Sequence, residues 1–155
     1  GKMDFDLNLA EYFIELSEPR LLAKNRVHAV LVGKQLIIAG VLPYDNGRII
    51  ARGAVGANVN LDTAKKAARA CVVQALSVIA AEHQGSLNKV KRVLAVNGLV
   101  AANASFADHE KVFEDASQLL GDIFGKHGKH VLTASGASSL PQNSPVMLGM
   151  TVEMK

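Results

Sequence analysis

A single cysteine, Cys71, in 155 residues excludes an intrachain disulfide and any zinc site built on cysteine pairs. Within "ARACVVQAL" helical spacing puts Cys71 on the apolar side, the setting of a buried and inert thiol. Tryptophan is absent and aromatics make up only 5%, so the core has to be assembled from Ala, Val, Leu and Ile. No apolar run reaches the ~18 residues of a membrane span, and no cationic start leads into an apolar stretch as in a signal peptide. The expectation is a cytoplasmic chain without membrane partners. Nucleophile elbow, P-loop and dinucleotide fingerprint are all missing, and "GAVGANVN" lacks the strand-to-helix turn that cradles phosphate. The five histidines, His28, His83, His109, His127 and His130, form no metal-ligand spacing, since "HGKH" lies past a helix stop. Neither a metal nor a cofactor is expected. Ser135, Ser138 and Ser139 have no base nearby in the sequence and read as loop chemistry.

Charge argues against a further class. The net charge is +3 and the cations are dispersed. The densest basic stretch, "NKVKRV" from Asn88, reads as a solvated helix-to-strand link rather than a nucleic-acid surface, which calls for a basic stripe with interleaved aromatics.

What the chain does hold is clear periodicity. At 155 residues it fits one domain, divided into an N-terminal helix and link (1–25) and a main body (26–155). "NLAEYFIELSEP" predicts a helix from Asn8 to Pro19 with Leu9, Phe13 and Leu16 on one face. "RVHAVLVGKQLIIAGVLP" predicts a hairpin about Gly33-Lys34, and Asn46-Gly47 a tight turn. A long helix follows, capped by Asn60 or Asp62 and ended by Gly85. Its inward residues are Ala64, Ala67, Ala68, Cys71, Val72, Ala75, Leu76 and Ile79. "VKRVLAVNGLVAA" is a buried strand, and "SFADHEKVFEDASQLLGDIFG" a second helix with Phe106, Val112, Phe113, Ala116, Leu119, Leu120 and Ile123 inward. The last stretch, from Lys129, supplies two more strands. Between Val131 and Val152 it carries no charge. Both long helices fall between strands, so they cover one face of a mixed sheet. The strands are apolar nearly throughout, which asks for cover on the other face, and a second copy of the chain is the natural source.

The ordered segments "LIIAGVLP", "AARACVVQAL", "VLAVNGLVAANASFADHEKVFEDASQLLGDIFG" and "GKHVLTASGASSLP...PVMLGMTVE" resemble the YjgF/RidA family, also labelled endoribonuclease L-PSP, from about Val27 to Glu153. The extra N-terminal helix resembles a longer subgroup. The resemblance implies an α+β, chorismate-mutase-like fold: a six-stranded mixed sheet with two helices on one face, assembled as a homotrimer with pockets between subunits. Deaminase members hydrolyse enamines and imines, using an arginine that grips the substrate carboxylate and a glutamate that handles water. Aligned on Leu140-Pro141, the arginine's position is Leu132, followed by Thr133 and then Ala134 where many members have cysteine. The glutamate's position is Met147. The usual Ser-Gly-Gln is Ala39-Gly40-Val41, and an early tyrosine falls on Arg26. Gly40, Asn97-Gly98, Leu140 and Pro141 keep the family's character. The implied cleft therefore consists of Ala39, Gly40, Val41, Asn97, Gly98, Leu132, Thr133, Ala134, Met147 and Arg26.

Leucine cannot pair with a carboxylate and methionine cannot carry a proton. The resulting expectation is a non-deaminase member, with no catalytic residue, that binds a small and mostly apolar molecule between subunits. Two alternatives stand beside it. One is a hydrolase of the family type, deaminase or ribonuclease, that uses Arg26 or His130. The other is an interaction module in which the trimer serves as a scaffold.

Overall fold

The computed structural model describes residues 3–155. Helix α1 spans Phe5–Glu11, where Asp4 caps it by accepting from the amides of Asp6 and Leu7 at 3.1 and 3.2 Å. Phe5 and Leu9, one turn apart, are its buried residues. The Phe5 ring meets Phe124 edge-on with centroids 4.9 Å apart. Polar contacts finish the docking: Asn8 Nδ2 donates to the Ile123 carbonyl at 2.7 Å, and Asp6 accepts from Ser86 Oγ and the Leu87 amide at 2.6 and 2.8 Å.

The helix ends at Glu11, well short of the expected Pro19. The Ile14 amide reaches back to Leu9 O and the Phe13 amide to Ala10 O, the paired bonds of a Schellman closure. Phe13 occupies its left-handed position at φ 56°, where glycine is usual, and is 94% exposed instead of inward. Beyond it, Leu16 packs against the core and the Ser17 amide donates to Ser77 Oγ.

Strands β1 (Ala29–Val32) and β2 (Gln35–Val41) form the hairpin expected about Gly33-Lys34. A short ribbon follows, β3 (Tyr44–Asp45) with β4 (Arg48–Ile49), joined by Asn46-Gly47, both at positive φ as a type I′ turn requires. Helix α2 runs Leu61–Ala81 and is capped by Asn60, whose side chain accepts from the Thr63 amide at 2.8 Å. Its eight expected inward residues are all fully buried. Burial raises the Cys71 thiol pKa far above its ordinary value, leaving it protonated and inert.

Strand β5 (Val90–Ala101) leads into two helices where one was expected: α3 (His109–Val112) and α4 (Glu114–Phe124). The break falls on Phe113, at φ −100° and ψ 8°, whose ring lies against β5 over Gly98. A β-carbon on Gly98 would sit 2.2 Å from that ring, so glycine here makes room for one of the two largest fully buried side chains of the core. A 3-10 turn (Gly125–Gly128) precedes β6 (Val131–Ala137), and β7 (Val146–Met154) completes the chain.

The main sheet has five strands in the order β1-β2-β7-β5-β6, parallel between β5 and β6 and antiparallel elsewhere, with the β3-β4 ribbon separate from it. The sixth strand expected in the sheet is thus not part of it within one chain. Helices α2 and α4 pack on each other on one face, and α2 contacts β2 and β7. Side chains alternate across the sheet. On β7, Val146, Leu148, Met150, Val152 and Met154 are buried, whereas Met147, Gly149, Thr151 and Glu153 are half-exposed. The second face is therefore less apolar than the run lengths suggested. It mixes Ile37 with Gln35, Asn97, Thr133, Thr151 and Glu153. Among the described residues no helix is long and apolar enough to cross a membrane.

Candidate functional site

The open face of the sheet is hollowed at its centre. Asn97 and Leu99 of β5 lie in register with Gly149 and Met147 of β7 on one side, and with Thr133 and Ser135 of β6 on the other. By the two-residue period all six share one face. Strand β2 reaches the same place through a bulge: its register with β7 shifts between Ile38 and Val41, and Gly40 takes φ 68°. The extra residue leaves Ala39 and Gly40 both exposed while Val41 turns inward, 8% exposed. The depression so formed holds about 330 Å³ and is lined by Ala39, Gly40, Asn97, Gly98, Leu99, Thr133, Ser135, Met147, Leu148 and Gly149. None of these is ionisable. The hydroxyls of Thr133 and Ser135 and the Asn97 amide are its polar side-chain groups.

Six of the ten residues named for the cleft meet there: Ala39, Gly40, Asn97, Gly98, Thr133 and Met147. The other four lie elsewhere within one chain. Leu132 and Ala134 flank Thr133 on β6, so they alternate to the helix side and pack partly buried against the core. Leu132 borders two further hollows beside α4, of about 460 and 680 Å³. Arg26 and Val41 line another depression, of about 330 Å³, which shares Ala39 and Gly40 with the first. It also holds Arg20, whose guanidinium stands 4.9 Å over the Tyr44 ring, and His28, whose Nε2 donates to the Arg20 carbonyl at 2.6 Å. Arg20, His28 and Tyr44 were not picked out as site residues from the sequence, because only the fold brings the N-terminal link against the bulge of β2.

His130 is half-buried and engaged on both ring nitrogens, Nδ1 with the Gly128 carbonyl at 2.7 Å and Nε2 with Ser117 Oγ at 2.9 Å. Ser117 also escaped the reading of the sequence. It lies on a helix 13 residues away, and no local motif joins the two.

Comparison with known proteins places this geometry. The family described as "YjgF/chorismate mutase-like, putative endoribonuclease" matches residues 8–154. Protein TCP17 of Trypanosoma cruzi is 34% identical over 148 residues, covering 95% of this chain and 92% of that protein. A protein of unknown function from Agrobacterium tumefaciens superposes with a TM-score of 0.88 at 33% identity, over 97% of this chain and 91% of its own. A "putative endoribonuclease" from Shewanella oneidensis reaches 0.92 at 26% identity, over 98% and 100%. Fold, matched length and identity agree, and the chain belongs to the YjgF family of chorismate-mutase-like proteins.

Proposed function

We propose that this protein is a non-deaminase member of the family, a homotrimer whose cleft takes a small, uncharged and mostly apolar molecule. The observation that carries this reading is the absence of any ionisable side chain among the residues lining the open-face depression. Where the family mechanism asks for an arginine and a glutamate, the chain has Leu132 and Met147. A carboxylate moved into such a site leaves water without gaining a charged partner, at a cost of several kcal/mol. A neutral ligand loses nothing comparable, and Asn97, Thr133 and Ser135 can orient it. Two features support assembly: one face of the sheet has no layer over it, and Val30, Val32, Ile37 and Val131 are exposed apolar residues of its strands.

A second reading has its own observation. Arg26 and Arg20 line a depression that shares Ala39 and Gly40 with the neutral one, so positive charge stands close by. In that case acids bind through Arg26.

Thermal-shift measurements with matched 2-oxo acids and their amides separate the two readings. The amides are expected to stabilise the protein more, and freshly generated 2-aminoacrylate is expected to decay no faster with the protein than without it. The variant Thr133→Arg, which places a cation on the open face beside Asn97, should turn preference toward acids. Stabilisation by acids that disappears in Arg26→Ala would establish the second reading and overturn the first.

A further inference from the structure

We propose that Ser117 and His130 form a nucleophile–base pair that accepts acyl groups from small carboxylic esters. The Gly128 carbonyl can only accept, so the ring proton sits on Nδ1, 2.7 Å from it. The neutral ring then offers a lone pair at Nε2, and Ser117 Oγ–H donates to it at 2.9 Å. Nucleophile, base and a third group that fixes the base are thus in line, the arrangement that activates a serine.

The surrounding chain holds the histidine in place. A β-carbon on Gly128 would stand 2.2 Å from the Leu120 carbonyl, so the 3-10 turn is pressed onto α4, the helix that carries Ser117. Arg92 Nη2 donates to the Lys129 carbonyl at 2.8 Å and ties down the residue between Gly128 and His130. The pair is also reachable. Ser117 is half-buried and lines both hollows beside α4, which share Gly121 and Leu132. A β-carbon on Gly121, one turn beyond Ser117, would meet nothing within 4 Å. A serine–histidine contact that served only to tie β6 to α4 would have no need of this open floor.

The chemistry follows from the placement. Ser117 Oγ attacks the ester carbonyl carbon while His130 Nε2 takes its proton. Lys129, on the wall of the same hollow, is the cation available to the tetrahedral oxyanion. Collapse expels the alkoxide, which receives the proton from His130, and leaves the acyl group on Ser117. Water, deprotonated by the same ring, then attacks the acyl carbon; the carboxylic acid departs and the serine is restored. Leu132 offers an apolar wall to a short acyl chain. This pair shares no side chain with the open-face depression, so either site can fail without the other.

The test uses the full chain with p-nitrophenyl acetate and with a fluorophosphonate probe, read by intact mass and peptide mapping. The expected result is one adduct per chain on Ser117, none in Ser117→Ala, and labelling slowed about 100-fold in His130→Gln, the loss of a general base. Gly121→Phe fills the floor without touching the Ser117–His130 bond, and is expected to slow labelling with the melting temperature unchanged. It decides the matter if His130→Gln does not fold. No adduct on the wild-type chain, an adduct on His130 or a lysine instead, equal labelling of folded His130→Gln, or undiminished labelling of folded Gly121→Phe would each overturn the proposal.

Discussion

The two faces of the sheet come from the same strands, one residue out of step, and they do different work. On the covered face, Leu36, Ile38, Val96, Leu148, Met150 and Val152 are almost wholly out of water under α2 and α4. On the open face, their neighbours Ile37, Ala39, Asn97, Met147, Gly149 and Thr151 remain half-exposed or exposed and include the candidate site. Stability is concentrated on the first, and the recognition proposed above on the second. A substitution on one should therefore leave the other largely alone, and the contrast can be measured.

The largest effect is expected from Phe113→Ala. The ring is fully buried, lies on Gly98 and fills the break between α3 and α4, so its loss leaves a cavity walled by both sheet and helix. Truncating a core phenylalanine costs about 3–5 kcal/mol. Chemical denaturation of the variant should show a midpoint shift of that size. A cost below ~1 kcal/mol would mean that α3 and α4 close over the gap and that the covered face is less rigid than its packing implies. Next comes Leu36→Ala, at ~2–4 kcal/mol for a leucine that is 3% exposed. Neither substitution should alter the acid-versus-amide preference at the open depression, provided that measurement is made well below the melting temperature.

How far the sequence disclosed these faces depends on the residues concerned. The inward face of α2 was legible, since an unbroken 3.6-residue period placed all eight expected side chains, but its end was not: the helix stops at Ala81, short of Gly85. The hairpin at Gly33-Lys34 and the turn at Asn46-Gly47 were legible from local turn chemistry. The end of α1 was not: Phe13 continues the apolar period, but backbone closure onto Leu9 and Ala10 turns it outward. The break at Phe113 was hidden for a related reason, because helical spacing continues through it while the close contact with Gly98 sets the local backbone. At the site, alternation along β6 already separates Thr133 from Leu132 and Ala134, and that period was the signal that could have divided the ten candidates. The bulge at Gly40, the nearness of Arg20 to Arg26, and the Ser117–His130 pair depend on contacts distant in the chain. No local pattern announces them.

The smallest effect on the isolated chain, and the sharpest test of the comparison, is expected at Ile37. It adjoins Leu36 on β2 but is 43% exposed, so Ile37→Ala should cost no more than about 1 kcal/mol when measured on dissociated protein. In the proposed trimer the same side chain gains cover from another copy. Its truncation should then act on assembly, lowering the melting temperature only where the wild type is associated, because a partner that binds the folded state stabilises it by mass action. Ile37→Lys takes the argument further by placing a charge on a face that has to lose its water. Light scattering at micromolar concentration should return a trimer for the wild type and smaller species for Ile37→Lys, with circular dichroism unchanged. If the wild type is a stable monomer, the open face is a surface in its own right and the assembly proposal fails. If both proteins are trimers of equal stability, the subunits meet elsewhere, and the edge strand β6 with its exposed Val131 becomes the contact to test.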